Sequence, residues 1–253
     1  MRDGFFWFSE AQFARISPHL PRDTRGVARV DDRRVISGIV HVLQSGGRWR
    51  DAPRDLYGPH KTLYNRFVRW AAKGVWAETF HALAVEDGPP VVLLIDSSAV
   101  RAHRCAAGGK GALRAQAIGR SRGGRTTKIH ALSDGDCWPV AFMLTPGNMA
   151  DCTAAEALIA QMPATGLLHA DKSYDSDRLC RQIETRGVAP NIPPKRNRRW
   201  KPCFSPFLYR YRNAIERMFS RLKDFRRIAT RYDKLAQNFL AALQLTATVC
   251  YWL

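Results

Sequence analysis

At Gly88, Pro89 and Pro90 the sequence changes its period, and this change limits the folds open to the chain. Before it, apolar residues recur at helical spacing: Val35, Ile39, Val42 and Leu43, then Leu63, Phe67 and Trp70. After it, Val91 to Ile95 is an unbroken apolar run ended by Asp96, as expected for a strand buried on both faces. Residues 128–133 and 139–144 read as a hairpin around a turn at 134–136. Then come a helix over 154–162, a strand over 166–170 ended by Asp171, a helix over 177–186 closed by Gly187, and a strand over 189–192. That order is mixed α/β, with no internal repeat. The predicted division is a helical region, residues 1–87, and an α/β region, residues 88–253.

In the helical region Asp31 and Asp32 can cap a first helix, and Gly46 and Gly47 follow it. A basic, aromatic segment leads to a second helix beginning near His60, which carries Lys61, Arg66 and Arg69 around its apolar positions. The arrangement resembles a helix-turn-helix unit, whose second helix enters the major groove. Core packing explains the apolar positions equally well, so the inference to DNA rests on the cations.

The charge balance supports it. Forty Lys and Arg against 22 Asp and Glu leave a net charge of +18. Such a field favours a polyanion, because each neutralised phosphate releases counterions. A membrane surface is the weaker alternative. The apolar stretch from Phe239 to Leu253 is broken by Gln244, Thr246 and Thr248 and is too short to span, and no signal-peptide core follows the N-terminus. A cytoplasmic, nucleoid-associated protein is expected. The six cysteines are scattered without a Cys-x-x-Cys pair, and His103 with Cys105 comes nearest to a zinc pair. Residues 106–127, with Arg120, Arg122 and Arg125, read either as a loop that orders on phosphate or as a solvated linker. Neither a P-loop nor a dinucleotide fingerprint is present.

Three carboxylates are the candidates for carrying the chemistry. On a helix of about 100° per residue, Tyr209, Arg212, Glu216 and Lys223 fall in one stripe roughly 60° wide. Ile215, Met218, Leu222 and Phe225 lie on another stripe. Asp96 and Asp171 each follow an apolar strand, the place where sites assemble in mixed sheets. If those strands are neighbours, the two carboxylates repel unless a cation joins them. Mg²⁺ suits such a pair, and Glu216 would complete a set for two ions roughly 3.5–4 Å apart. Arg212 and Lys223 could clamp phosphates, with Tyr209 bonding or stacking beside them. Each aspartate reads equally as a strand-end or helix-capping residue, and Asp175 and Asp177 compete with Asp171 for the metal, with Asp171 nearest the strand end and Asp177 placed to cap the next helix.

At these residues the chain resembles DDE transposases of bacterial insertion sequences, in the insertion sequence 5 group. Tyr209, Arg212, Glu216 and Lys223 meet that group's Y-x2-R-x3-E-x6-K signature in full. The segments around Asp96 and Asp171 are similar to those holding the two catalytic aspartates. Ser173 stands where glycine is frequent. The Gly119–Gly124 stretch, Pro146 to Asn148, and Arg226 to Asp233 add to the likeness. The resemblance implies a ribonuclease H-like catalytic domain with Asp96, Asp171 and Glu216 as catalytic metal ligands. It implies Mg²⁺, with Mn²⁺ as a substitute, and cut-and-paste transposition of double-stranded DNA. The helical region would read the terminal inverted repeats, and joining two ends to target DNA would need a homodimer or a larger synaptic complex. A DNA-binding descendant without catalysis and a nuclease of the same fold are the alternatives.

Overall fold

The computed structural model of the protein describes residues 4–21, 29–86, 88–108, 113 and 115–253. Its first part is helical. Ser9 caps α1 (Glu10–Ile16) in a capping box with Gln12. Asp31 caps α2 (Asp32–Ser45), accepting from the Arg33 and Arg34 amides, and Gly46 closes it at a φ of 76°. Then come α3 (Arg54–Tyr57), α4 (His60–Ala72) and α5 (Val75–Ala84). The helix-period residues became core: α2 packs on α4, and Val35, Ile39, Leu43, Leu63, Phe67 and Trp70 are all buried. A 3-10 turn (Trp49–Asp51) and α3 lie between α2 and α4, a longer connection than the turn of about 3–4 residues in a helix-turn-helix unit.

Position 38 sets how closely these helices approach. A Cβ there would stand 2.7 Å from Tyr57 Cβ and 3.0 Å from Leu63 Cδ1. Gly38→Val is therefore expected to destabilise the fold by about 1–3 kcal/mol through overpacking. A lowered midpoint in urea unfolding would register it, and an unchanged midpoint would contradict this packing.

The rest comprises β1 (Val92–Ala102), β2 (Gly119–Ser121), β3 (Gly124–Asp134), β4 (Pro139–Pro146), α6 (Asp151–Ile159), β5 (Leu167–His169), α7 (Asp177–Glu184) and β6 (Ala189–Asn191). They are followed by α8 (Pro206–Tyr209), α9 (Asn213–Lys223), α10 (Arg226–Ala229), β7 (Thr230–Arg231) and α11 (Ala236–Tyr251). β3 runs antiparallel to β1 and β4, whereas β5 runs parallel to β1 and β6. β2 adds to β3, and β7 to β1. An antiparallel meander continued by parallel strands, with helices on both faces, is the ribonuclease H-like sheet.

Alternation along β1 sorts its side chains between two cores. Leu93 and Ile95 pack with Leu132 and with Leu158, Leu179 and Ile183 of α6 and α7. Leu94 and Val100 join Ile129 and Ala131 in the core on the other face, with Ile215 and Met218 of α9 and Phe239 of α11. By the same alternation Asp96 and Ser98 face α9, and Ser97 faces α6. The second core also holds the buried residues of α2, α4 and α5, so apolar packing runs across the 87/88 boundary. Among the described residues no helix is long and apolar enough to cross a membrane. All six cysteines are free.

Two local expectations differ. β1 continues through Asp96, because β3 pairs with it from Leu93 to Arg101 and holds its polar half by backbone hydrogen bonds rather than apolar burial. The Gly- and Arg-rich stretch is no loop over 119–127. β2 and β3 form a hairpin there, closed by a two-residue turn after Ser121 with Gly124 at a φ of 96°. Residues 109–112 and 114 of that stretch lie outside the described residues.

Candidate active site

The site forms where β1 loses its parallel partner. The last registered pair between β1 and β5 is Leu94 with His169. Two positions further along come Asp96, still within β1, and Asp171, just past the end of β5, so the two carboxylates stand on neighbouring strand tracks. Burial pushes the Asp96 carboxyl above its ordinary value and the Asp171 charge adds to this, while the Ser97 amide and Arg212 offset part of the rise. Asp171 accepts from the Ser173 amide at 2.8 Å and from the Ser173 hydroxyl. Ser173 belongs to a 3-10 turn (Lys172–Tyr174) with no positive φ, so serine costs no backbone strain there and its hydroxyl secures the carboxylate.

From the opposite side α9 brings the third carboxylate. Arg212 Nη1 donates to Asp96 Oδ2 at 3.1 Å, and its Nη2 donates to Glu216 Oε1 at 2.6 Å. One guanidinium thus bridges two of the three acids. Lys223 Nζ donates to Ser98 Oγ at 2.6 Å, and partial burial lowers its pKa. The Tyr209 ring lies 5.5 Å from the Arg212 guanidinium carbon, and burial raises its phenol pKa. The single helix expected over 209–223 is interrupted: α8 ends at Tyr209, Arg210–Arg212 wind as a 3-10 turn, and α9 begins at Asn213. Tighter winding at that junction changes the phase of Tyr209 relative to Glu216. Ile215, Met218, Leu222 and Phe225 are buried as expected, and Glu216 is exposed.

Among the described residues, no three His, Cys, Asp or Glu converge closely enough to make a ready metal centre. The donors present nevertheless suit a hard divalent cation: two repelling carboxylates on neighbouring strand tracks, and a third joined to Asp96 through a side chain that is itself a cation. Asp175 and Asp177 are otherwise engaged. Arg198 lies 2.7 Å from Asp175 Oδ1 and 2.7 Å from Asp177 Oδ1.

Sequence reasoning overlooked a brace behind the two aspartates. Ser97, whose amide donates to Asp96 Oδ1 at 2.7 Å, donates through its hydroxyl to Asp151 Oδ1 at 2.7 Å. Lys128 Nζ reaches the same oxygen at 2.9 Å. The next residue, Cys152, donates to the Ser173 carbonyl at 2.8 Å, and Ser173 holds Asp171. The first turn of α6 therefore links both strand ends. Burial alone would raise the Asp151 carboxyl, but Ser97 and Lys128 outweigh it and hold the carboxyl below its ordinary value. The available signal was the Pro146–Asn148 turn just before Asp151.

The expected DNA contacts are divided. Arg120, Arg122 and Arg125 are exposed on the β2–β3 hairpin, with Arg120 directly opposite Arg125. Lys61 and Arg69 are exposed on α4. Arg66 is not: its head pairs with Asp32 and lies 4.9 Å from the Trp70 ring centre.

A basic chain that gathers carboxylates at the strand ends of a ribonuclease H-like sheet belongs to the class of enzymes that act on phosphodiester bonds. Residues 87–253 match the transposase DDE domain family, and residues 8–80 match a transposase family of the IS4/5 group. The chain belongs to the DDE transposases, DNA-cleaving enzymes of transposition. It is similar to a Brucella ovis protein named as transposase for insertion sequence element IS6501, with 35% identity over 129 residues that cover 51% of this chain and 98% of that one. A Burkholderia cepacia protein named for insertion sequence element IS402 is 32% identical over 137 residues, covering 50% of this chain and 63% of its own. In fold the chain is similar to piggyBac transposase, solved as a synaptic complex with hairpin DNA. The TM-score is 0.55 at 12% identity, over 93% of this chain and 68% of that one.

Proposed function

We propose that Asp96, Asp171 and Glu216 hold divalent metal, Mg²⁺ in the first instance with Mn²⁺ as a substitute, in a cut-and-paste DNA transposase. What supports this reading is that Asp96 and Asp171 each follow the last registered pair of β1 with β5 by two positions, while Arg212 bonds both Asp96 and Glu216. A bound divalent ion supplies positive charge to the phosphate oxygens and eases deprotonation of the attacking water or 3′-hydroxyl. Arg212 exchanges its carboxylate partners for phosphate as the substrate enters, and Lys223 holds a neighbouring phosphate from its place beside Ser98. Tyr209 packs beside them. Arg120 and Arg125 are like charges facing each other across the hairpin, an arrangement that costs stability until a polyanion relieves it. With Arg122 they grip the DNA backbone, and Lys61 and Arg69 contact the terminal inverted repeats from α4. Two ends must be joined to one target, so a homodimer or larger synaptic complex acts, within the bacterial cytoplasm at the nucleoid.

The test is a plasmid carrying the element's own inverted repeats, incubated with Mg²⁺ and with wild type or Glu216→Gln. Excised and joined products are expected from wild type alone, while the variant still binds the repeats. Wild-type binding without cleavage would favour the inactive descendant, and nicking without joining would favour a nuclease. Binding should weaken steeply with salt, with a log–log slope of about −0.9 per phosphate contacted.

A further inference from the structure

The segment between β6 and α8, together with α8 itself, exposes aromatic surface that the carboxylate site does not use. Trp200 is 81% exposed and Phe207 63%, in a protein that buries Trp76, Phe8, Phe67 and Phe239 almost completely. Cations alternate with these rings. Arg196, Arg199 and Lys201 are exposed and meet no carboxylate among the described residues, and the Arg210 guanidinium carbon lies 4.4 Å from the Phe207 ring centre.

The segment is also held in place. At its start the buried Asp175 carboxylate accepts from the Lys195 amide at 2.7 Å and from Arg198 Nε at 2.8 Å, and Lys195 Nζ donates to the Asp175 carbonyl at 2.9 Å. At its end the Asn191 side chain accepts from the Ser205 amide at 2.8 Å and donates to the Ser205 carbonyl at 3.2 Å. Asp175 lies just beyond Asp171 in the chain, and Asn191 pairs with His169 at the end of β5. One clamp therefore follows Asp171 in the chain, and the other stands on β6 beside the strand that leads to it. The segment then runs through α8 to Arg212, which touches Asp96.

Exposed rings interleaved with unpaired cations suit a strand whose bases are free to stack, because in an intact duplex those faces are already covered. We propose that Trp200 and Phe207, with Arg199, Lys201 and Arg210, form a platform for unpaired nucleotides of the cleaved DNA strand beside the carboxylate site. The inference rests on the transposase reading, and it names the part of the substrate that this segment takes. Charge favours this occupant over a second copy of the chain, whose net charge of +18 would meet the same cations.

The test uses the full chain and a labelled oligothymidine, which cannot pair with itself, beside a blunt duplex. Binding is read by fluorescence anisotropy for wild type, Trp200→Ala, Trp200→Phe and Phe207→Ala. Trp200→Ala is expected to weaken oligothymidine binding about tenfold or more, since each stacked base contributes at that level. Duplex binding should change less than about twofold, and phenylalanine should recover most of the loss. Unchanged oligothymidine binding, or an equal loss on the duplex, would overturn the platform. So would self-association in sedimentation that Trp200→Ala abolishes without touching oligonucleotide binding. Because this assay needs no cleavage, failure of the platform is separable from failure of the plasmid assay.

Discussion

Asn in place of Asp96 is expected to leave a folded, DNA-binding protein that has lost cleavage by at least about a thousandfold, several kcal/mol of stabilisation in the transition state. The carboxylate it neutralises is the one that Arg212 approaches, and it lies two positions past the last registered pair of β1 with β5, as Asp171 does. A second readout separates loss of chemistry from loss of fold. Burial and the neighbouring Asp171 raise the Asp96 pKa in the folded protein. Above both the folded and unfolded values, its ionisation therefore opposes folding, and removing the charge relieves that cost. Without metal, the variant should melt at the wild-type temperature or slightly higher. A strongly lowered melting temperature would mean that Asp96 is a structural residue, and retained single-turnover cleavage would remove it from the metal site.

Arg212→Ala should move two quantities in opposite directions. Cleavage is expected to fall about 10²–10³-fold, the usual result of removing one preorganised charge stabiliser. Affinity for Mn²⁺ in the absence of DNA, measured by calorimetric titration, should rise. In the wild-type protein the guanidinium bridges Asp96 and Glu216, and an entering ion must compete with it. Lysine at 212 keeps the charge but lacks the fork that reaches both acids, so it should recover affinity for phosphate better than it recovers cleavage. If Mn²⁺ binds less tightly to the alanine variant, Arg212 is organising the ligands rather than standing in for the ion.

Several of these features could be read from the sequence, and particular residues show where such reading fails. Val91 to Ile95 announced a buried strand, and Leu93, Leu94 and Ile95 are buried on the two faces of β1, whereas Val91 precedes the strand and is 80% exposed. The strand's continuation through Ser97 to Ala102 was not announced, since hydrogen bonds to β3 hold that half. Arg120 to Arg125 reads as a loop because arginine and glycine carry little strand signal, yet a two-residue turn and pairing with β3 suffice. Arginines were the hardest to place. Arg231 is fully buried and donates to Thr127 Oγ1 at 2.8 Å, Arg227 donates to the Gly47 carbonyl at 3.0 Å, and Arg66 is taken by Asp32. In composition they count equally with Arg122 or Arg199, which remain exposed.

By itself the sequence determined the alternation of helices and strands, the helical face shared by Glu216 and Lys223, and the excess of positive charge. These are local or additive properties: burial repeats every two or nearly four residues, and charge sums regardless of position. Only the tertiary structure decided that Asp96 lies beside Asp171, that Arg212 comes to Asp96 across 116 positions, and that the first turn of α6 ties both aspartates together. Strand register and ion-pair partners depend on which distant segments meet, and that choice is made by the packing of the whole core, where shifting a strand by one residue sends every side chain to the other face.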